Sequence, residues 1–514
     1  MKSRIPALGV LLLCAFVVNV DTTIVNVTLP TLSTELHAST RDLQWIVDAY
    51  TLVFAALVLA AGALGDRFGR KRLLLIGLGV YMFGNAGAAL AGSSGLLIAW
   101  RAVMGLGAAL IFPATLSTIV HLFPERGERA KAIGLWGAVT GISVALGPIV
   151  GGALVEASGW QAAFWLKLPI GAVAVAAAVA VVPASADPSR PRVDRGGLAL
   201  SSLGILALVF TVIEAPEYGW LAARSVVGFV LAAGLLTGFV VYETRVSSPL
   251  LDVRLFRNAC FSAASAAITM SFFALFGFIF LITQYFQVLR GYGPLETGLR
   301  LLPVATSTGI AAVVGTILAV RIGNKVVVAT GLGLAAVMFA WTSQADSQTA
   351  YIEIVGQMIL LGTGMGLTAA PANEAIMGAV PDANAGVGSG VNDTTRELGG
   401  TLGVAIVGSV FASLYSAGFD SAPSALPIGA ATDSVGQAFA TASQLGGAPG
   451  DLLRSLASSG FYDGLEAGCL VAAGVCAVGA IAIAILLPSR PAHEDGAAEP
   501  VEPQAAASSA MVSA

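Results

Sequence analysis

Six ionisable residues lie inside stretches that are otherwise apolar: Asp21, Asp48, Arg101, Asp393, Arg396 and Glu397. Four acids against two bases leave a formal charge of −2 away from water. A bare carboxylate in such surroundings is costly, so it must hold a proton, meet a base or bind a cationic ligand. A proton and a cation that compete for one negative site can be exchanged for each other. Asp21 is the first candidate for that proton chemistry, with Arg101 tuning it; the alternative is a purely structural Asp21–Arg101 pair. In GVNDTTRELGGTLG (390–403), Asp393 stands three and four residues before Arg396 and Glu397, on one helix face. These three are further candidates for proton coupling, and an internal ion pair with Arg396 is the alternative.

The elements that hold these groups follow from composition. Of 514 residues, 56% are hydrophobic and only 11% are charged. A soluble chain carries about 25% charge, so a soluble enzyme and a disordered protein are both excluded. The net charge of −4 and the scattered cations give no footprint for nucleic acid. A membrane-crossing helix needs about 20 apolar residues. Fourteen segments qualify: 8–32, 42–62, 72–92, 95–122, 131–156, 163–183, 196–214, 223–243, 258–287, 296–320, 325–343, 350–371, 384–413 and 461–487. At about 1.5 Å per residue, Asp21 falls near the bilayer middle, and Asp48 and Arg101 in its outer part.

Eighteen of the 26 Lys and Arg residues fall on the connections that share a side with the N-terminus. Six (Arg41, Lys167, Arg224, Arg290, Arg300 and Arg454) fall on the other side, and Arg101 and Arg396 lie within spans. That bias predicts both termini in the cytoplasm and an even number of spans. Residues 414–460 are expected to form an external loop, and 488–514 a disordered, dispensable cytoplasmic tail.

The sequence repeats itself. The connection Gly62-Ala-Leu-Gly-Asp-Arg-Phe-Gly-Arg-Lys-Arg72 has a worn copy in Arg321-Ile-Gly-Asn-Lys325, and MGLGAALIFPA (104–114) is matched by LGTGMGLTAAPA (361–372). Two related six-helix bundles are therefore expected, at 1–183 and 258–487, with an inserted helix pair and its linkers at 184–257. Such repeats mark transporters that alternate access around a midplane site. The four cysteines (Cys14, Cys260, Cys469, Cys476) lie in apolar runs, and His37, His121 and His493 are scattered, so neither a disulfide framework nor a metal site is expected. No GxxxxGK[ST] loop is present, which argues against ATP drive.

Four motifs give the chain its resemblance. They are Asn19-Val-Asp-Thr-Thr-Ile-Val-Asn-Val-Thr-Leu-Pro30, the 62–72 connection, Arg101-Ala-Val-Met-Gly-Leu-Gly107, and Gly141-Ile-Ser-Val-Ala-Leu-Gly-Pro-Ile-Val-Gly-Gly152. From about residue 8 to 487 the chain resembles the major facilitator superfamily, and within it the fourteen-helix drug:proton antiporter branch. The resemblance implies an all-α membrane protein of fourteen helices. In the 62–72 connection, Gly62, Gly65 and Gly69 permit a tight reversal, while Asp66, Arg67 and Arg70 suit a cytoplasmic latch; a simple topology anchor is the alternative. The fourth motif resembles that of exporters, with Gly141, Gly147, Pro148, Gly151 and Gly152 forming a flexible gate, or else only close packing.

Relatives that export cations often carry an acid at the position of Asp48, so Asp48 is the candidate that attracts a cationic substrate; an interfacial polar residue is the alternative. Tyr50, Asn26, Trp136, Phe276 and Tyr285 are further candidate contacts, since aromatic faces suit flat cations. Relatives usually have Asn where this chain has Lys167, which would disfavour cations locally. The expectation is a monomeric, non-enzymatic protein of the cell (inner) membrane, without cofactors. Its partners are a small-molecule substrate, protons and lipid. Its function would be proton-driven efflux of hydrophobic, cationic drugs or antiseptics. The alternative is dedicated export of one neutral or acidic antibiotic or metabolite by the same mechanism.

Overall fold

In the computed structural model the described residues are 4–184, 194–246, 249, 251, 253–378, 385–420, 422, 423, 426 and 428–487. Among them the chain is helical, with no strand. The order is α1 (Arg4–Glu35), α2 (Thr40–Phe68), α3 (Arg70–Ala89), α4 (Ser94–Leu122), α5 (Arg126–Ser158), α6 (Ala162–Trp165) and α7 (Lys167–Val181). Then come α8 (Arg195–Tyr218), α9 (Ala223–Glu243), α10 (Ala259–Gln284), α11 (Pro294–Arg300), α12 (Leu302–Ile322) and α13 (Asn324–Thr342). The last are α14 (Tyr351–Gly378), α15 (Ala385–Ala417), α16 (Val435–Leu445) and α17 (Gly447–Leu486).

Local chemistry sets the ends. Ser39 and Asp42 form a reciprocal capping box at the start of α2, and Ser93, Asp194, Asn258 and Ser434 cap α4, α8, α10 and α16 with their side chains. Gly69 reverses the chain between α2 and α3 at φ 104°, and Gly323 does the same between α12 and α13 at φ 89°. Both angles lie in the region that favours glycine.

Helices cover all fourteen predicted segments, though not as fourteen uniform spans. Among the described residues, 12 helical stretches are long and apolar enough to cross a membrane. The segments 42–62 and 131–156 are helical as α2 and α5 but lie outside that set. The segment 163–183 divides into α6 and α7, and 296–320 into α11 and α12 around Leu301, next to the N-terminal Pro303 of α12. Residues 414–460 are not simply a loop. They hold the end of α15, the helix α16 and the first turns of α17. The polar Ser, Gly and Gln content of the segment hid α16, whose Val435, Ala438 and Ala442 are buried together on one face. The tail 488–514 lies outside the described residues.

The packing order recurs. In the first set α4 packs on α1, α2 and α3, and α3 packs on α7; in the second α14 packs on α10, α12 and α13, and α13 packs on α17. The pair α8–α9 stands beside both, with α8 laid against α2 and α15. Large apolar side chains cover the outside, including Leu221, Val320 and Ile352. A protein surface of that kind suits lipid rather than water.

The two sets are joined by hydrogen bonds that run from the middle of the bundle to the end where α1 finishes. Ser33 meets Ser434 (2.6 Å), the Thr40 N–H donates to the Asp433 carbonyl (2.7 Å), and Gln437 donates to the Ala38 carbonyl (3.0 Å). Deeper in, Gln44 donates to the Ala405 carbonyl (3.2 Å) and the Thr401 hydroxyl to Thr51 (2.8 Å).

Candidate functional site: buried charges inside the helix bundle

Asp21 is fully buried on α1, and each of its carboxylate oxygens has its own cation. Oδ2 accepts from Arg101 Nη1 of α4 at 2.5 Å, and Oδ1 accepts from Lys167 Nζ of α7. Arg101 also donates through Nε to the Ile46 carbonyl of α2 (2.8 Å) and stacks 4.4 Å from the centroid of the Tyr50 ring. Its Nη2 has no hydrogen-bond partner among the described residues. The Tyr50 and Tyr81 hydroxyls donate to the Val18 and Val17 carbonyls (3.1 and 3.3 Å), one turn before Asp21. Three helices, α2, α3 and α4, thus converge on one turn of α1, and α7 supplies the amine.

Asp48 is placed differently. Gln44 and Thr51 both reach α15, and Asp48 stands between them at spacings of four and three, on the same face of α2. It is fully buried, and neither carboxylate oxygen has a hydrogen-bond partner among the described residues. Asn26, on α1, donates to the Thr22 carbonyl (3.1 Å) and leaves its Oδ1 unpartnered.

The third group centres on Arg396. Its Nη2 donates to Asn19 Oδ1 of α1 (2.6 Å), two residues from Asp21, and its Nε lies 3.7 Å from Glu397 Oε1. The guanidinium sits over the rings of Phe272 (5.1 Å) and Phe112 (6.0 Å). Asp393 is buried nearby but makes no ion pair among the described residues, so the expected three-way cluster reduces to Arg396–Glu397 with Asp393 to the side.

The aromatic candidates separate. Tyr50, Phe54, Phe112 and Trp136 form a continuous run, with successive centroids 6.1, 5.7 and 4.9 Å apart, and the Trp136 indole donates to Thr115 (3.2 Å). Phe276 packs against Phe272 (6.3 Å) beside Arg396. Tyr285 does not join them. It lies at the end of α10, where its hydroxyl accepts from Arg290 (2.6 Å) and its ring packs on Phe461 and Tyr462. Phe461 and Tyr462 sit far along the sequence, out of reach of any local pattern.

In the 62–72 connection, only Gly69 is required by its backbone angle; a Cβ on Gly62 or Gly65 would meet ordinary contacts at 3.9 and 3.6 Å. Arg70 donates to the Ser117 carbonyl (3.1 Å) and Lys71 to the Val179 carbonyl (2.8 Å), so the connection grips the last turns of α4 and α7. Arg67 is exposed over the Phe68 ring, and the Asp66 side chain lies outside the described residues. On α5, a Cβ on Gly147 would collide with Thr23, one on Gly151 would stand 2.7 Å from Ile24, and one on Gly152 would collide with the Pro294 carbonyl of α11. The Pro148 carbonyl in turn lies where a Cβ on Gly298 would fall. The surroundings of Gly141 lie outside the described residues.

Sequence reasoning missed Lys167 as a member of the site, together with Tyr81, Gln44 and Thr51. The count of two buried bases becomes three. The signal was available: Lys167 is the one charge between residues 163 and 183, inside a segment that qualified as a span.

An all-helical bundle with an apolar exterior and ionisable groups sealed inside defines a multi-pass membrane transporter. The chain belongs to the Major Facilitator Superfamily, whose family model matches residues 11–404. It is similar to the multidrug resistance protein Stp of Mycobacterium tuberculosis (strain CDC 1551 / Oshkosh), at 35% identity over 78% of this chain and 75% of that protein. It is also similar to the multidrug efflux pump LfrA of Mycolicibacterium smegmatis, at 35% identity over 91% of this chain and 93% of that one. The crystal structure of a bacterial homologue of the human lysosomal transporter Spinster, in an inward-facing and occupied conformation, shares the fold with a TM-score of 0.68. That match has 15% identity and covers 95% of this chain and 98% of the other.

Proposed function

We propose that this protein exports hydrophobic, cationic drugs or antiseptics across the cytoplasmic membrane in exchange for protons, by alternating access. The observation that carries the reading is Asp48, a buried carboxylate with no hydrogen-bond partner, on the α2 face that meets α15. Such a group is tolerable inside a membrane protein only with a proton or a cation in place. Whichever of the two leaves must be replaced by the other, and that replacement is the exchange. The Asp21–Arg101–Lys167 cluster supplies the proton-exchanging centre, and Arg101 ties it to the α2 turn that carries Asp48. The run of aromatic rings from Tyr50 to Trp136 offers flat apolar faces for the cargo.

In this reading the chain has fourteen spans, with α2 and α5 crossing alongside the twelve apolar stretches, and both termini lie in the cytoplasm. Residues 1–183 and 258–487 act as two rocking bundles, with the inserted pair beside them. The hydrogen bonds between Ser33 and Ser434 and between Gln437 and Ala38 then close the outer end, so the bundle is shut toward the outside. The names of the two relatives support multidrug efflux over export of one compound.

Removal of the Asp48 charge tests the reading. In proteoliposomes, Asp48→Asn should lower transport of a dication such as methyl viologen at least tenfold and leave a neutral hydrophobic substrate within about threefold of wild type. Equal loss for both would remove the charge-reading role. Competition among unrelated drugs separates multidrug efflux from dedicated export, which would show none.

A further inference from the structure

We propose that the proton exchanged at the Asp21 cluster is carried by the amine of Lys167, and that Asp21 stays a carboxylate throughout; this rests on the proton-antiport reading above. The cluster contains one acid and two bases, and all three side chains are buried. Arginine keeps its proton in proteins. With all groups ionised, the cluster holds a surplus of one positive charge out of water. Protonation of Asp21 would raise that surplus to two. Loss of a proton from Lys167 would cancel it, leaving a neutral Asp21–Arg101 pair and an amine whose lone pair can accept a hydrogen bond. Of the two exchangeable protons that the cluster admits, the electrostatics therefore select the one on Lys167.

Among the described residues, the Lys167 amine pairs with no acid other than Asp21. Helix α7 packs against α1, α3 and α6. From α1 come Asp21, Cys14 and, at the outer end, Glu35, which accepts from the Trp160 indole (3.0 Å). Arg4 begins α1 and pairs with Glu128 (3.6 Å). From α3 come the Tyr81 hydroxyl, engaged with the Val17 carbonyl, and the basic Arg70, Lys71 and Arg72 at the far end, where Lys71 holds Val179. From α6 comes only the Phe164 ring, 5.0 Å from the amine. Arg101 of α4 faces Lys167 across Asp21.

The step balances simply. The ammonium of Lys167 releases a proton to the water on the side to which the bundle is open, and the neutral amine regains one from the other side. Cationic cargo favours the neutral amine because it brings its own positive charge. The empty carrier returns with the ammonium. Lysine in place of a neutral residue thus makes the cluster a proton carrier that does not require a protonated acid at membrane depth.

Ethidium, a flat monocation, serves as the probe, with the full-length protein in detergent and a pH dye to count protons released per ethidium bound. Lys167→Met and Lys167→Arg should each release one proton fewer than wild type. In each, the affinity should rise with pH by one tenfold step per pH unit less. At acidic pH Lys167→Met should bind ethidium more tightly than wild type, and Lys167→Arg at least tenfold more weakly. If one variant fails to bind, the proton count of the other decides. A wild-type proton count and pH slope in either variant would overturn the proposal. So would loss of binding in both, since the side chain would then serve only the fold. If wild type itself releases no proton on binding ethidium, the antiport reading fails rather than the assignment to Lys167.

Discussion

Asp21 is held by two cations from two other helices, so its environment cannot be simplified by removing one neighbour. Arg101→Met would leave Tyr50 without its stacked guanidinium and Asp21 with Lys167 alone. That removes a charge-assisted hydrogen bond from Asp21 and another from the Ile46 carbonyl, each contributing about 1.5–3 kcal/mol. Arg101→Met should therefore lower the Tm of the purified protein by several degrees. The double variant Asp21→Asn/Arg101→Met should lose less than the sum of the two single losses, because each single variant already removes the one Asp21–Arg101 bond. Additive losses in thermal unfolding would mean that the two side chains are not energetically coupled. At this scale the sequence was informative about identity and poor on partnership. The types and depths of Asp21, Asp48 and Arg101 marked them out, as did the resemblance. The Lys167 amine finds its acid on a helix 146 residues earlier. Arg396 reaches Asn19 across 377 residues. No local spacing encodes such pairs; the packing of α1 against α4 and α7, and the reach of Arg396 from α15, create them.

The helices themselves are set by patterns that can be read directly: long apolar runs, capping side chains and glycine stops. The reversal at Gly69 and its counterpart at Gly323 follow from glycine alone, since both sit at positive φ. What could not be read was the division of a run into two helices at Leu301, or the helical character of α16 within a polar, glycine-rich stretch. There tertiary burial of one small face outweighs weak local preference. The glycines of α5 belong to this scale as well. Gly152 lies against the Pro294 carbonyl, and Gly147 against Thr23. A side chain at either position must push α5 away from α11 or α1. Gly152→Val should thus open the α5–α11 contact. The expected outcome is faster modification of a cysteine introduced at Gly293, where a Cβ would stand 3.7 Å from Glu156 of α5, by a membrane-impermeant thiol reagent, by at least threefold, with transport reduced. An unchanged labelling rate would show that α5 and α11 yield without separating.

The whole molecule consists of two sets of helices with the same packing order, joined from the middle to one end. That asymmetry is what an alternating-access machine requires of one of its states. If the joined end must separate in each cycle, a covalent tie there should stop transport without damage to the fold. Ser33 and Ser434 touch through their hydroxyls at 2.6 Å. Ser33→Cys/Ser434→Cys should lose at least tenfold of its ethidium export after oxidation and regain it on reduction, while either single variant remains insensitive to oxidant. Undiminished export by the cross-linked protein would mean that this end stays shut throughout the cycle. The pair α8–α9 follows the same seam. The Ser409 hydroxyl donates to the Val212 carbonyl (3.0 Å), and Arg41 lies 3.5 Å from Glu214. It therefore braces α2 and α15 on the lipid side.

Proton-driven export is tested most directly by ethidium uptake into inside-out vesicles that carry the protein, energised by an imposed pH difference and voltage. Uptake should begin when the gradient is applied, stop when an uncoupler collapses it, and be absent with Asp48→Asn. Uptake that continues at the same rate after both components of the gradient are gone would contradict exchange of cargo for protons and leave only the transporter fold.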